Sequence, residues 1–232
     1  MEFLIVLAAT ILACFALRNP VKRWPVLFYV LAVALVMLFI CGAYVPLPRP
    51  LWSLLLVLVQ KCMLSLALFV VVMYLGVFAR ESKVGTWLRP IRAELSIVAW
   101  ILSLGHMTMY LVSYAPRLLA GRIDGNVLAA LVLALVLFAL LLVLGVTSFN
   151  VVKKRMKTGT WKRVQLLAYP FFGLVYVHLL LMLLPSALRG GEAAQTSIVV
   201  YSVVFGAYAV LRVVRAVRDC RAGLKNEAQV PA

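Results

Sequence analysis

The sequence predicts an all-α polytopic transmembrane bundle of seven helices, with the N-terminus outside and the C-terminus in the cytoplasm. Three observations predict it: an apolar composition, seven apolar runs of about membrane length, and basic residues gathered on alternate loops. Hydrophobic residues make up 66% of the 232 and charged residues 13%, with a mean hydropathy of +1.08, which is not the balance of a soluble domain. A helix needs about 20 mostly apolar residues to cross a bilayer. Runs of that kind fall at 2–17, 25–45, 51–78, 95–115, 127–152, 164–184 and 198–214.

The first run is the shortest. It opens on Met1-Glu2, acidic where an export signal is basic, and Arg18 to Arg23 follow it, so it reads as an uncleaved helix. The second, 25–45, separates that basic segment from Arg49, and the third, 51–78, holds Gln60 and Lys61 within its apolar stretch. The fourth, 95–115, follows Arg89 and Arg92 and contains His106. The fifth, 127–152, is free of charge until Lys153, the sixth contains His178, and the seventh ends at Arg212 and Arg215. With 18 residues after Val214, no nucleotide- or flavin-binding domain is expected. Ala222 to Ala232 is expected to be a short disordered tail without a motif.

Orientation follows from charge, because loops rich in Lys and Arg stay cytoplasmic. Eighteen basic residues lie in the segments Arg18–Arg23, Arg80–Arg92, Lys153–Arg163 and Arg212–Lys225; the alternate loops hold four, namely Arg49, Arg117, Arg122 and Arg189. The formal charge of +16 is accounted for by this rule and by anionic lipid headgroups. Nucleic-acid binding is not expected of a chain with no soluble face for a duplex.

Both histidines lie inside apolar runs, where an ionisable ring marks a site by default. His106 lies 11 residues after Leu95 and His178 lies 14 after Val164, roughly 16 and 21 Å from the cytoplasmic end at about 1.5 Å per residue. Both fall in the outer half of a core about 30 Å thick. Two neutral imidazoles at matched depth suit the axial positions of one haem b iron; hydrogen bonding between helices is the alternative. Gly105 and Gly173 are small residues where a macrocycle could approach, and Tyr110, Tyr169 and Tyr176 could pack around it.

Leu104-Gly105-His106-Met107-Thr108-Met109-Tyr110, preceded by Arg92-Ala93-Glu94-Leu95, resembles the Arg-x-x-Leu and Leu-x-His-x-x-x-Tyr segment of the ferric-reductase-like transmembrane domain family. Within that family the likeness is to the membrane haem subunit of periplasmic methionine sulfoxide reductase systems. Thr147-Ser148, a basic loop, Trp161-Lys162-Arg163-Val164-Gln165-Leu166-Leu167-Ala168-Tyr169 and then His178 are similar to its Trp-x-x-Leu-His-x-x-x-Tyr and later His. The resemblance covers roughly residues 51 to 215. It implies a haem-binding helical core there, an N-terminal part over 1–50 holding the extra first helix and the second, and a cytoplasmic tail over 216–232.

One departure bears on mechanism. Where the family has the first histidine of its second motif this chain has Gln165, a poor haem ligand, and the matching inner depth on the His106 helix holds Arg92. One outer haem per chain is therefore expected, with the inner position empty or holding a quinone or flavin near Arg92 and Gln165.

Lys61, about 15 Å into its run by the same rise, either snorkels to the outer interface or pairs with a haem propionate or a quinol headgroup. Arg49, Arg117 and Arg189 are outer candidates for propionate pairing. Cys14, Cys41, Cys62 and Cys220 form no C-x-x-C pair, so covalent haem, zinc and iron–sulfur sites are not expected. Nor is there a P-loop, a G-x-G-x-x-G or a Ser-His-Asp set. The expected function is a b-type cytochrome of the bacterial inner membrane. It would take electrons from quinol or a cytoplasmic flavin reductase and pass them to an extracytoplasmic reductase subunit. A non-redox scaffold or small-molecule permease is the alternative.

Overall fold

Runs rich in Leu, Val and Ala close their backbone hydrogen bonds within helices, the arrangement that hydrocarbon demands. The computed structural model describes residues 2–79, 81–123 and 125–227, with side chains as far as Arg221. Helix makes up 87%, and no strand occurs among the described residues. Arg80 and the expected disorder of 228–232 lie outside them.

The elements are α1 (Glu2–Ala16), α2 (Arg18–Arg23), α3 (Pro25–Gly42), α4 (Arg49–Leu55), α5 (Met63–Tyr74), α6 (Lys83–Leu88), α7 (Arg92–Leu119), α8 (Gly125–Ser148), α9 (Asn150–Arg155), α10 (Thr158–Gln165), α11 (Ala168–Leu188) and α12 (Glu192–Glu227). Five spans are long and apolar enough to cross a membrane: α3, α6 with α7, α8, α10 with α11, and α12. A sixth results if α4 and α5, bent by 43° at their junction, count as one.

Three expectations change. The first run is a helix of 15 residues, about 22 Å long, short of the roughly 30 Å hydrocarbon core. The third is broken: a π-turn over Leu56–Gln60 follows α4, the Lys61 amide bonds back to the Leu56 carbonyl at 2.8 Å, and Cys62 turns left-handed at φ 57°. No Gly or Pro between Leu51 and Met63 announces this break. The seventh run does not give way to a tail at 216, because α12 continues as helix to Glu227, 36 residues in all, so 222–227 are helical rather than disordered.

Packing centres on α5. It lies against α1 on one side and α7 on another, and its Leu66, Ala67, Val70 and Met73 join Phe172 of α11 and Tyr201, Phe205 and Tyr208 of α12 in one buried cluster. α7 also packs on α3 and α8, while α11 packs on α8 and α12. Hydroxyls join the helices where no water is at hand: Ser65 of α5 donates to the Ala99 carbonyl of α7 at 2.7 Å and pairs with Ser103. Outward faces remain apolar, as at Ile5 and Leu12, each 70% exposed, which fits a lipid environment. At the end of the bundle where α6 begins, Ser82 caps that helix by accepting from the Gly85 amide at 3.0 Å. Arg89 ties back the end of α5 by donating to the Phe78 carbonyl at 2.6 Å.

At Gly105, side chains of α3 and of the π-turn press against the backbone of α7. A Cβ there would lie 2.9 Å from Val36 Cγ1 and 3.2 Å from Val59 Cγ1. Gly105→Ala is therefore expected to lower the thermal midpoint of the detergent-solubilised protein. Overpacking costs about 1–3 kcal/mol, against the roughly 1 kcal/mol that alanine gains in a helix. Adding Val36→Ala should recover part of the loss, and no change in midpoint for Gly105→Ala would contradict the contact.

Candidate functional site

His106 lies 14 residues beyond the start of α7 and His178 lies 10 beyond the start of α11, roughly 21 and 15 Å along their axes. Their helices do not pack extensively on each other; each lies against α8.

The helix break supplies the His106 partner. Its Nδ1 lies 2.5 Å from the Gln60 carbonyl oxygen, a group left over where the π-turn ends. A carbonyl only accepts, so the proton belongs on Nδ1, which leaves the Nε2 lone pair open. The Tyr110 ring lies 4.7 Å from the imidazole and Tyr114 follows at 6.0 Å, with the Arg117 guanidinium 5.7 Å from the Tyr114 centroid. One stripe of α7 thus runs from His106 toward the helix end as a row of rings, Tyr110 tilted against the imidazole and stacked on Tyr114, closed by a cation. His178 differs: its Nδ1 is buried and has no hydrogen-bond partner among the described residues. No group of three or more His, Cys, Asp or Glu side chains is placed to hold a metal ion among those residues.

The remaining expected pocket residues divide. Gly105 is filled by Val36 and Val59, so it serves helix packing and offers no face to a macrocycle. Tyr169 lies at the N-terminal end of α11, its hydroxyl 3.1 Å from Arg212 Nε and its ring under that guanidinium at 5.0 Å. It therefore leaves the His178 neighbourhood, nine residues and about 13 Å away. Lys61 is satisfied by protein: its Nζ is 2.8 Å from the Glu2 carboxylate at the start of α1. That contact stands in place of the expected propionate or headgroup. A Cβ on Gly173 would meet nothing within 4 Å, so that face of α11 is open. Tyr176 bonds Ser202 at 2.8 Å, and Arg189 donates to the Pro185 carbonyl at 3.0 Å, closing α11.

Arg92 and Gln165, paired from sequence as an inner position, line one cavity of about 280 Å³ between α5, α7, α8, α10 and α11. Gln165 donates to Thr147 Oγ1 at 3.0 Å, and the Trp161 indole donates to the Thr147 carbonyl at 3.0 Å. Thr147, Trp161 and Gln165 thereby fasten α10 to the end of α8. Sequence reasoning passed over Trp100, whose indole also lines this cavity and lies so close over Gly145 that no Cβ fits there. It passed over Glu2 as the Lys61 partner as well. A carboxylate and an ammonium 59 positions apart, each alone in an apolar run, were the signal for that pair.

No family model matches the chain. No solved structure matches it either. An uncharacterized protein of Treponema pallidum (strain Nichols) is similar to it, 45% identical over 154 residues that make up 66% of this chain and 42% of the relative. The chain thus spans less than half the length of the curated relative it matches.

The Glu2–Lys61 pair ties α1 to the break. Lys61→Met breaks that tie between two side chains that are each more than half exposed and is expected to lower the thermal midpoint slightly, since exposed ion pairs contribute little. A Lys61→Met protein as stable as the parent would remove the structural role of the pair.

Proposed function

We propose that the chain is a membrane b-type cytochrome of the ferric-reductase-like kind, with one haem held between His106 and His178. The observation that carries this reading is the Nδ1 contact of His106 with the Gln60 carbonyl. Histidines that ligate metals commonly give their other ring N–H to a carbonyl, which fixes the tautomer and the ring plane and presents Nε2 to the metal. The placement of His178 within the apolar α11 supports it too, because an ionisable ring inside a membrane helix marks a site by default. The residues therefore fit the group.

When bound, haem would supply a one-electron iron centre. The chain's own residues hold it and shape its surroundings. The two imidazoles would keep the iron low-spin, the Gln60 carbonyl would fix the plane of the His106 ring, Tyr110 would cover one edge, and the apolar helices would exclude water. Electrons would come from quinol or a cytoplasmic flavin reductase and leave to an extracytoplasmic reductase subunit, which would perform the final reduction. The protein would sit in the bacterial inner membrane with its C-terminus cytoplasmic, and the short α1 would be the element added to a six-helix core.

One observation favours a second reading. The His106–Gln60 contact is also what a non-redox scaffold or permease would use to join its helices.

Two measurements test the proposal. A dithionite-reduced minus oxidised spectrum of the purified protein should report one low-spin b-type haem per chain, lost in His106→Ala and in His178→Ala; a colourless, stable, monodisperse protein that takes up no haem would favour the scaffold. For orientation, a green fluorescent protein fused after Ala232 should fluoresce and alkaline phosphatase fused there should be inactive. The reverse pattern would invert the topology.

A further inference from the structure

Positive charge gathers where α7 begins and α8 ends. Arg89 lies just before α7, Arg92 opens it and Lys153 belongs to α9, and all three line the same cavity of about 280 Å³. Among the described residues no Asp or Glu lines it, and Glu94, two positions from Arg92, stands outside the lining. The ion pairs of the described residues, Lys61 with Glu2 and Arg215 with Asp219, involve none of these cations.

The cations are held in different ways. Arg89 donates through Nη2 to the Phe78 carbonyl at 2.6 Å, and its Nε faces Gly85, where a Cβ would lie 3.3 Å away. It is fixed in place and contributes charge rather than free N–H groups. The Lys153 ammonium rests over the Trp161 ring at 4.4 Å, a contact that positions it without neutralising it. Arg92 is exposed. The other polar groups are occupied: Ser96 donates to the Arg92 carbonyl, Ser148 to the Leu144 carbonyl and Gln165 to Thr147. The indole N–H of Trp100, buried without a partner, is shut against Gly145. Farther into the bundle the lining turns apolar. Leu141 lies seven residues before Ser148 on α8, about 10 Å along the axis, and Phe171 and Phe172 of α11 join it.

Like charges around one space repel, more strongly where low-dielectric walls limit screening by water, and an anion relieves that repulsion. Phosphate oxygens suit this set, because a guanidinium grips them in a planar fork and an ammonium meets them as a point charge. We propose that the cavity binds the phosphate group of an anionic ligand, with Arg92 and Lys153 pairing its oxygens and Arg89 adding to the field. An anionic phospholipid headgroup and a soluble phosphate share this chemistry. Basic pockets between membrane helices take such headgroups, and the apolar depth would receive the hydrocarbon next to one. The volume lies just under the roughly 300–1,000 Å³ of sites that enclose whole small molecules, so the phosphate and its immediate surroundings enter and a whole lipid does not. This site needs no haem and stands independently of the cytochrome reading.

The test is microscale thermophoresis of the purified full-length protein in a non-ionic detergent, with inorganic phosphate and short-chain phosphatidylglycerol as probes in separate arms. At least one should bind saturably at one site per chain. Phosphatidylglycerol alone marks a lipid headgroup; inorganic phosphate, alone or as well, marks a site open to soluble phosphate. Arg92→Gln and Lys153→Gln should each weaken binding about tenfold, the loss of one charge-assisted hydrogen bond, and Arg92→Lys, which keeps the charge, should lose less. Arg218→Gln makes the same charge change on α12 outside the lining and should leave binding unchanged. Thermal midpoints recorded without probe separate lost binding from lost folding. The proposal is overturned if neither probe binds the parent protein, or if binding survives unchanged in both Arg92→Gln and Lys153→Gln. It is overturned as well if Arg218→Gln weakens binding as much as Arg92→Gln, the mark of general attraction to a basic surface.

Discussion

The break between α4 and α5 is the constraint on which the rest of the bundle depends. In hydrocarbon every backbone group that leaves a helix ladder needs a partner from the protein, because none comes from the solvent. Here the π-turn and the left-handed Cys62 release the carbonyl of Gln60, and His106 meets it. The same turn brings the Lys61 ammonium outward, where Glu2 neutralises it. A single backbone irregularity thus fixes a side chain on α7 and the position of α1, and it does so three residues before Ser65, whose contacts with Ser103 and Ala99 join α5 to α7.

The break also explains why the bundle is asymmetric about α5. One side, toward α7 and α3, is held by close approaches and hydroxyls, with Gly105 against Val36 and Ser103 bonded to the Ala99 carbonyl at 2.9 Å. The other side, toward α11 and α12, is held by rings: Phe172 stacks on Phe205 at 4.4 Å, and the Tyr74 hydroxyl donates to the Val204 carbonyl at 2.7 Å. His106 belongs to the first side and His178 to the second. α8 is the element common to both.

Much of the helical layout was legible in the sequence, because apolar length is a one-dimensional property: the runs at 25–45, 95–115 and 127–152 each reappear within a few residues as α3, α7 and α8. Two limits were physical. Hydropathy cannot see a turn built without Gly or Pro, so the run 51–78 read as one helix although Lys61 marked the place. Nor can it see where a helix stops being membrane and remains helix, so α12 was ended at Val214 although its arginine-rich continuation keeps a good helical propensity. In the candidate site, the histidines stood out because polar residues are rare in such runs, and Arg92 and Gln165 because they stand where the resembled motif has other residues. Gly105 and Tyr169 were misplaced because spacing along a helix gives height but not which neighbour a face meets. Trp100 was missed because a tryptophan in an apolar helix attracts no notice until its N–H is found without an acceptor.

α1 carries a consequence for how the chain is built into a membrane. At 15 residues it is too short to be taken up as a span by its own hydrophobicity, and its first turn bears a carboxylate, which lipid alone does not tolerate well. Its stable position exists only once α5 is in place to offer a surface and Lys61 is there to cancel the charge. α1 therefore reaches its final place only with the helices that follow it, and it enters the bilayer as their guest.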